Sequence, residues 1–286
     1  MIFSANRCTP RIKSGAGFFG IMLRTLALRI LIAVVLSLPL VLSAATREDD
    51  VKELAPTGKL RVALVFAPEK SIFFIVKDGD GKPQGVTADI AAALGHAINL
   101  PVEYVLFPNS GLATDALESG AVDVSFMPVD EERKQRVAFG PNYVLAESTY
   151  MVTPALPAKT VEEVDRQGVR VIGIANTTTI RAAARTLKNT AISPVPSVAE
   201  AVAMLRDGKA DAFALSRDSL PTYVKQVPGS RITDGAFQQI GIAIAVAKGN
   251  QAGLAAVTRF MDQAKSNGLV RKALDGAGYP DVAVAP

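Results

Sequence analysis

The chain has 286 residues, with 31 basic and 27 acidic side chains, a formal net charge of +4 and a pI near 9.2. It contains one histidine, His96, and one cysteine, Cys8. This composition excludes a histidine-based catalytic triad, a multi-histidine metal site and an internal disulfide, so we expect neither a metal nor a cofactor.

The first 45 residues differ in composition from the rest of the chain. They hold five basic and no acidic residues, then an apolar run at residues 26–42, and end in small residues before Thr46. Basic start, apolar middle and small-residue end predict a secretory signal peptide at residues 1–45. The pattern is already complete from Met22 onward, which makes Met22 a possible true start.

A membrane anchor is the alternative interpretation of this segment, but the uninterrupted apolar run at residues 30–42 is short for the ~20 residues of a membrane span.

The segment also accounts for the basic charge of the chain. Without residues 1–45, the chain has 26 basic and 27 acidic residues. The basic pI therefore belongs to the targeting segment and gives no support for nucleic-acid binding.

Beyond residue 59, apolar runs alternate with helix-type segments, which predicts a mainly parallel sheet with helices on its faces. Predicted strands occupy residues 60–66, 102–107, 122–126, 148–153, 169–175, 210–215 and 241–248. Predicted helices occupy residues 89–100, 112–119, 161–166, 180–187, 198–206, 219–226, 252–267 and 270–277. The sequences Asp-Gly-Asp-Gly at 78–81 and Gly-Pro-Asn-Tyr at 140–143 predict a hairpin turn and a second turn. Residues 117–124 resemble residues 205–212, which favours two related lobes.

The stretch at residues 122–139 predicts a strand, a turn through Met127 and Pro128, and a helix that begins after Asp130. Asp130 is a suitable N-cap, because its carboxylate accepts free N–H groups of the first helical turn. Arg133 lies in that turn, at the end of the helix dipole that disfavours a cation. An arginine beside helix N–H groups can bind a carboxylate or phosphate. The alternative is a surface arginine paired with Glu131 or Glu132.

Seven segments carry a resemblance over essentially the whole chain after residue 45. They are GKLRVAL at 58–64, DGKPQGVTADIAAAL at 80–94, ALESGAVDV at 116–124, ERKQRVAFGPNY at 132–143, VIGIANTTT at 171–179, GKADAFAL at 208–215 and GIAIAVAKGN at 241–250. In order and spacing they resemble the family 3 extracellular solute-binding proteins, which serve amino-acid ABC importers. The resemblance implies an α/β, two-lobed fold of the periplasmic-binding-protein type II class.

In that fold a ligand binds in a cleft between lobes joined by two crossing hinge strands. The resemblance places the crossings near residues 144–148 and 240–245. It implies a first lobe built from residues 46–147 and 242–286, and a second lobe at residues 148–241.

The resemblance also implies a ligand site. The family's arginine for the ligand carboxylate falls on Arg133, and its glycine-threonine loop falls on Thr177, Thr178 and Thr179, where plain N-capping is the alternative. Met127 and Val129 match positions whose backbone meets the ligand.

Two positions depart from the family pattern. The aspartate that holds the ligand's ammonium is replaced by Ser216, with Asp218 as a possible substitute. The stacking aromatic falls near Ser71, with Phe73 and Phe74 beside it, and we select Phe74 as the candidate contact. The ligand is therefore expected to carry a carboxylate, whereas the presence of an ammonium group stays an open question.

The predicted function is that of a periplasmic binding protein that delivers a small polar carboxylate-bearing solute to an ABC importer. The expected partners are this ligand and the importer's membrane permease; no nucleic acid is expected, and the protein is expected to be a monomer. Two alternatives remain: a non-transport periplasmic accessory or sensor, and an enzyme on the same fold, such as a dehydratase resembling the cyclohexadienyl type. The enzyme would need a buried general acid in the cleft.

Overall fold

One nine-stranded sheet runs through residues 48–286, the range that the structure, a computed structural model, describes. The predicted signal peptide lies outside this range. The strands are β1 (Leu60–Val65), β2 (Val76–Lys77), β3 (Pro83–Gln84), β4 (Val102–Phe107), β5 (Val124–Pro128), β6 (Val137–Val152), β7 (Val171–Ile174), β8 (Ile192–Val195), β9 (Ala212–Ser216), β10 (Arg231–Ile232) and β11 (Gln238–Ala247). The helices are α1 (Val86–Ala97), α2 (Ser110–Glu118), α3 (Glu131–Arg136), α4 (Thr178–Thr186), α5 (Val198–Arg206), α6 (Leu220–Val224), α7 (Gln251–Ser266) and α8 (Leu269–Ala277).

The sheet has two parallel halves joined by two long strands. Its order is β4-β1-β5-β11-β6-β9-β7-β8, with β10 beside β6 and the β2-β3 hairpin apart. In the first half β1 pairs in parallel with β4 and β5, and in the second half β7 pairs in parallel with β8 and β9. Strands β6 and β11 run antiparallel between them, β11 pairing with β5 and β6 with β9. The predicted α/β fold with two crossing strands is confirmed.

The predicted turn at residues 140–143 is wrong, because these residues belong to strand β6. The chain continues as one strand of 16 residues through this stretch, hydrogen-bonded to β11. The register between the two strands shifts around Asn142, with Ile242 opposite Val144 and Ala245 opposite Phe139. Gly140 and Pro141 therefore act as an irregularity within a strand, because pairing along a long neighbour outweighs the local preference for a turn.

Three smaller predictions also need correction. Strand β5 extends through Met127 and Pro128, where a turn was predicted, because β11 pairs with both residues. The predicted helix at 161–166 is a single 3₁₀ turn, Glu162–Val164. The edge strand β8 was missed, since its sequence Ile-Ser-Pro-Val contains a proline and two exposed residues.

The last two helices cover the first half of the sheet. Helix α7 packs on β6 and β11, and α8 packs on α1. Val257, Met261 and Leu274 supply buried side chains to this layer. Within residues 48–286, no helix is long and apolar enough to cross a membrane.

The lobe boundaries remain a prediction. By their contacts, residues Asp49–Pro286 form one compact unit. We define the first and second halves of this unit as the two halves of the sheet, each with the loops and helices attached to its strands.

Candidate functional site

A small cavity lies between the two halves, beside the crossing strands. Its volume is about 40 Å³. A cavity that admits benzene has ~150 Å³, so the cleft is nearly shut. The lining comes from both halves and from the crossing strands: Ile72, Phe73, Phe74, Pro108, Asn109, Ser110, Pro128, Ala146, Ser148, Ile174, Thr177, Thr178, Thr179, Val198, Ala214, Leu215, Ser216, Ile240 and Ile242.

Arg133 lies directly behind this lining. Helix α3 forms as predicted, with Asp130 Oδ1 accepting from the backbone N–H of Arg133 at 2.8 Å. The side chain of Arg133 turns inward, and the residue is only 1% exposed. Its Nη1 donates to Pro128 O at 3.0 Å and its Nη2 to Ser110 Oγ at 2.7 Å, and both acceptor residues line the cavity.

The charge of Arg133 is desolvated. Within the described chain, its guanidinium hydrogen bonds go to two backbone carbonyls and one hydroxyl, and none goes to a carboxylate. Burial and the nearby positive charge of Arg181 lower the pKa of Arg133 to about 9. The predicted alternative of a surface ion pair is wrong, because Glu131 pairs with Lys134 and Glu132 with Arg181. Arg133 is a buried cation at neutral pH, which favours an anion beside it.

The two halves also touch at a glycine. Gly111, in the first turn of α2, lies against Asn176, which precedes α4 and has a positive φ of 58°. A Cβ on Gly111 would meet Asn176 Cβ at 2.5 Å and its carbonyl oxygen at 2.9 Å, so only glycine allows this approach. The same carbonyl accepts from Arg133 Nη2 at 3.4 Å, across the cleft.

The three threonines begin α4 and face the cavity. Thr177 is the N-cap: its Oγ1 accepts from the N–H of Ile180 at 3.3 Å and donates to Ile174 O at 2.8 Å. Thr179 Oγ1 lies 3.4 Å from Ser148 Oγ of the crossing strand. Thr178 is 1% exposed, and its hydroxyl has no hydrogen-bond partner in the described chain. The capping alternative therefore holds for Thr177, whereas Thr178 keeps a free hydroxyl.

Asp218 holds a loop of the opposite half. Its Oδ2 accepts from the N–H of Ile72 at 3.1 Å, and the Tyr143 hydroxyl donates to the carbonyl of the same residue at 2.9 Å. Burial raises the pKa of Asp218, and its Oδ1 is buried with no partner within residues 48–286. Asp218 is not part of the cavity lining, although Ser216 is, and Ser216 Oγ lies 2.8 Å from Ser219 Oγ.

The Ile72 loop carries the aromatic wall. Ser71 Oγ accepts from the N–H groups of Phe73 and Phe74 at 3.1 and 2.9 Å. The two phenylalanine rings lie 5.2 Å apart, and both line the cavity. Phe74 is 8% exposed, so it lies in the cavity wall where the candidate contact was predicted.

Met127 and Val129 do not line the cavity, although Pro128 between them does. Met127 is fully buried, with its sulfur 3.5 Å from Thr114 Oγ1, and Val129 donates its N–H to Gly241 O at 2.9 Å. Pairing with β11 engages the backbone that was predicted to meet the ligand.

Sequence reasoning missed the polar residues at the start of α2. Asn109 caps this helix by accepting from the N–H of Leu112 at 2.9 Å, and its amide donates to Pro196 O in the second half at 3.2 Å. An asparagine between a predicted strand and a predicted helix is an N-cap signal that was available in the sequence.

An ion pair outside the cavity joins the start of α3 in the first half to α4 in the second half. Arg181 of α4 binds Asp130 and Glu132 of α3, with Nε at 3.0 Å from Asp130 Oδ2 and 2.9 Å from Glu132 Oε2. The Arg181 side chain is 20% exposed and that of Asp130 11%. Asp130 thus caps α3 and joins it to α4, a second role that its position in the sequence does not indicate.

Comparisons with known proteins agree with this architecture. The family model described as "Bacterial extracellular solute-binding proteins, family 3" matches residues 65–276. The chain is 24% identical to a glutamine-binding protein of Geobacillus stearothermophilus, over 70% of this chain and 77% of that one. It is likewise 24% identical to an ABC transporter glutamine-binding protein of Bacillus subtilis, over 69% and 73% of the two chains.

Among solved structures, an ancestral amino acid-binding protein described as a precursor of cyclohexadienyl dehydratase is similar, with a TM-score of 0.69 and 27% identity. The similarity covers 79% of this chain and 98% of that one. The family match includes strands β2 to β11, both crossing strands among them, and every residue that lines the cavity. The chain therefore belongs to the bacterial extracellular solute-binding proteins of family 3.

Proposed function

We propose that this chain is the substrate-binding component of an ABC importer and that it binds a small carboxylate-bearing solute between its two halves. Membership in the family, and the likeness to an ABC transporter glutamine-binding protein, support the transport role. The observation that supports a carboxylate on the ligand is the desolvated guanidinium of Arg133, which donates hydrogen bonds to Ser110 and Pro128 of the cavity lining.

The carboxylate lies between Arg133 and the start of α4. Arg133 Nη2 donates to Ser110 Oγ at 2.7 Å, but its second bond, to Asn176 O, is long at 3.4 Å, so a carboxylate replaces this second acceptor with a stronger, charge-assisted one. On the other wall, the Thr178 hydroxyl and the first N–H groups of α4 are available, at the positive end of the helix dipole. Both walls then hold one anion, which favours the closed cleft.

The remaining candidates have different roles in this proposal. Phe74 and Ser216 contact the body of the ligand, because both line the cavity. Asp218 is a positioning residue that acts through the Ile72 peptide. Met127 and Val129 are assigned no direct contact with the ligand, because neither lines the cavity.

We further propose that the protein works as a monomer outside the inner membrane, with the importer's permease as its partner. Expressed in a Gram-negative host, the chain should be recovered from the periplasm with its N-terminus near Thr46. N-terminal sequencing of the periplasmic fraction tests this. Recovery of only a full-length, membrane-bound chain would contradict export by a cleaved signal peptide.

The test of binding compares acids with their amides. In calorimetric titration, a panel of amino acids and small organic acids should contain binders, and the amide of each binder should bind at least about 30-fold more weakly, because it lacks the charge that Arg133 requires. Equal binding of acid and amide would contradict a carboxylate site.

The dehydratase alternative has one observation in its favour. Asp218 is a buried carboxyl with a raised pKa near the cavity, as a general acid requires, and one similar structure is a precursor of such an enzyme. However, one oxygen of Asp218 already accepts from Ile72 N–H, and the residue is not part of the cavity lining. Incubation with a cyclohexadienyl acid should leave it unchanged, and turnover would replace the transport proposal with an enzyme. Absence of permease and ATPase genes nearby would favour the accessory or sensor alternative.

A further inference from the structure

Most residues that line the cavity are apolar. Aliphatic and aromatic side chains come from the first half, the second half and the crossing strands. Examples are Phe74 of the first half, Val198 and Leu215 of the second, and Ile240 of β11. Among the described residues that line the cavity, none is charged, since Arg133 and Asp218 both lie outside the lining.

Most polar groups of the lining are already paired. Asn109 uses both its amide nitrogen and its oxygen, and Ser216 is paired with Ser219. Ser148 Oγ donates to Gln238 Oε1 at 3.2 Å and lies beside Thr179. Thr178 is the lining residue whose side chain is buried without a partner within residues 48–286.

A second polar group on the ligand would therefore lose water without gaining a partner. Burying an unpaired amide or charge is costly, and discrimination by buried polar groups depends on matched partners. The polar groups that we assign to the carboxylate are Arg133, the Thr178 hydroxyl and the first N–H groups of α4. The body of the ligand is left with apolar walls.

Resting on the proposed function, we propose that the ligand carries a short, uncharged and apolar body beyond its carboxylate. The class is an aliphatic carboxylic acid without an ammonium group, rather than an amino acid such as glutamine, arginine or lysine. The small volume of about 40 Å³ favours the shorter members, because each added carbon requires the halves to move further apart.

Pairs of ligands with matched shape test this class. 4-Methylpentanoate against succinamate and 3-methylbutanoate against 3-hydroxybutanoate differ in polarity more than in size, and calorimetric titration measures each. We expect the apolar member of each pair to bind on the order of 10- to 100-fold more tightly. Succinamate, glutamine or leucine binding as tightly as 4-methylpentanoate would overturn this inference and leave the proposed function intact. Equal binding of 3-methylbutanoate and its amide would instead overturn the carboxylate site and leave apolar selectivity standing.

Two valines of α5 provide a matched pair of variants. Val198 and Val202 are one turn apart and both are 3% exposed, but only Val198 lines the cavity. Val198→Thr keeps the shape of the side chain and places a hydroxyl in the wall. We expect the preference for 3-methylbutanoate over 3-hydroxybutanoate to fall about 10-fold in Val198→Thr and to stay unchanged in Val202→Thr.

Thermal melting without ligand separates selectivity from stability. Both variants bury a hydroxyl, so both should melt at a lower temperature than the wild type. A fall in preference that is equal in the two variants, or absent in a folded Val198→Thr, would overturn the assignment of this wall to the ligand's apolar body.

Discussion

Arg133 combines a structural role and a binding role, which changes what its removal should do. A cleft arginine that touches only ligand should leave the stability of the free protein unchanged. In the structure, Arg133 is buried and donates to Pro128, Ser110 and Asn176. Substitution leaves these acceptors without their donor, so free protein and complex are both affected.

Arg133→Ala should weaken ligand binding by about 2–5 kcal/mol and lower the free energy of unfolding of the free protein by about 1–3 kcal/mol. Arg133→Lys should weaken binding less, because lysine keeps the charge and loses the planar pair of donors. Calorimetric titration and urea unfolding measure the two effects. Arg206→Ala, at an exposed position of α5, is the control and should change neither. Unchanged affinity in a folded Arg133→Ala would remove Arg133 from the site.

Asp218 should make the folded protein less stable as pH rises, which is the opposite of the effect of a carboxyl group whose pKa is lowered on folding. Burial raises its pKa in the folded protein, so the folded state binds more protons than the unfolded state between the ordinary pKa of an aspartate and the raised one. The contribution of the protonated form is complete below the unfolded pKa and is lost as pH rises through the folded pKa. Asparagine keeps an oxygen for Ile72 N–H without the charge.

The free energy of unfolding of Asp218→Asn, relative to the wild type, should therefore increase as pH is raised from about 3.5 to 7. Urea unfolding of both proteins at several pH values measures this difference. The other carboxyl groups are the same in both proteins, so their contributions to the pH dependence cancel. A difference that is constant over this range would mean that Asp218 titrates as an ordinary carboxyl.

At the scale of elements, the ion pair between α3 and α4 joins the two halves of the sheet. Asp130 offers Oδ1 to the first turn of α3 and Oδ2 to Arg181. The pair is mostly buried, with exposures of 20% and 11%, whereas Lys134 and Glu131 on the same helix are 48% and 84% exposed. The buried pair should contribute more, because it is less screened by water.

A double-mutant cycle with Arg181→Met and Asp130→Asn should give a coupling of about 1 kcal/mol in the free energy of unfolding. Asparagine still caps the helix, so the cycle reports the ion pair rather than the cap. The control cycle at Lys134 and Glu131 should give a coupling near zero. Equal coupling in the two cycles would show that the α3–α4 contact is an ordinary surface pair.

The same elements show what the sequence could and could not predict. Helix α5 was predicted with its observed bounds, because its N-cap serine, apolar spacing and final glycine all agree. Strand β6 was divided by a predicted turn, because Gly140 and Pro141 carry a local signal and β11, about 100 residues later, carries the stronger one. The position of Arg133 was predicted from its helix, but its burial depends on Ser110 and Asn176, which only the fold brings near.

At the scale of the whole molecule, the closed cleft requires a hinge. Contacts between the halves include Arg181 with Asp130, Asp218 with the Ile72 peptide, and Asn109 with Pro196. The chain passes between the halves along the crossing strands β6 and β11, so few backbone torsions need to change for opening. A cavity of about 40 Å³ is too small for an amino acid to enter without such opening.

Ligand should therefore lower the radius of gyration of the protein in small-angle scattering. Without ligand, we expect the open form to be populated, because the desolvated charge of Arg133 disfavours closure. A bound carboxylate neutralises this charge and touches both walls, which shifts the population toward the closed form by its differential affinity. Arg133→Ala at the same ligand concentration is the control and should contract less. A scattering profile that stays unchanged at a ligand concentration shown by calorimetry to saturate the site would mean that the cleft does not close on its ligand.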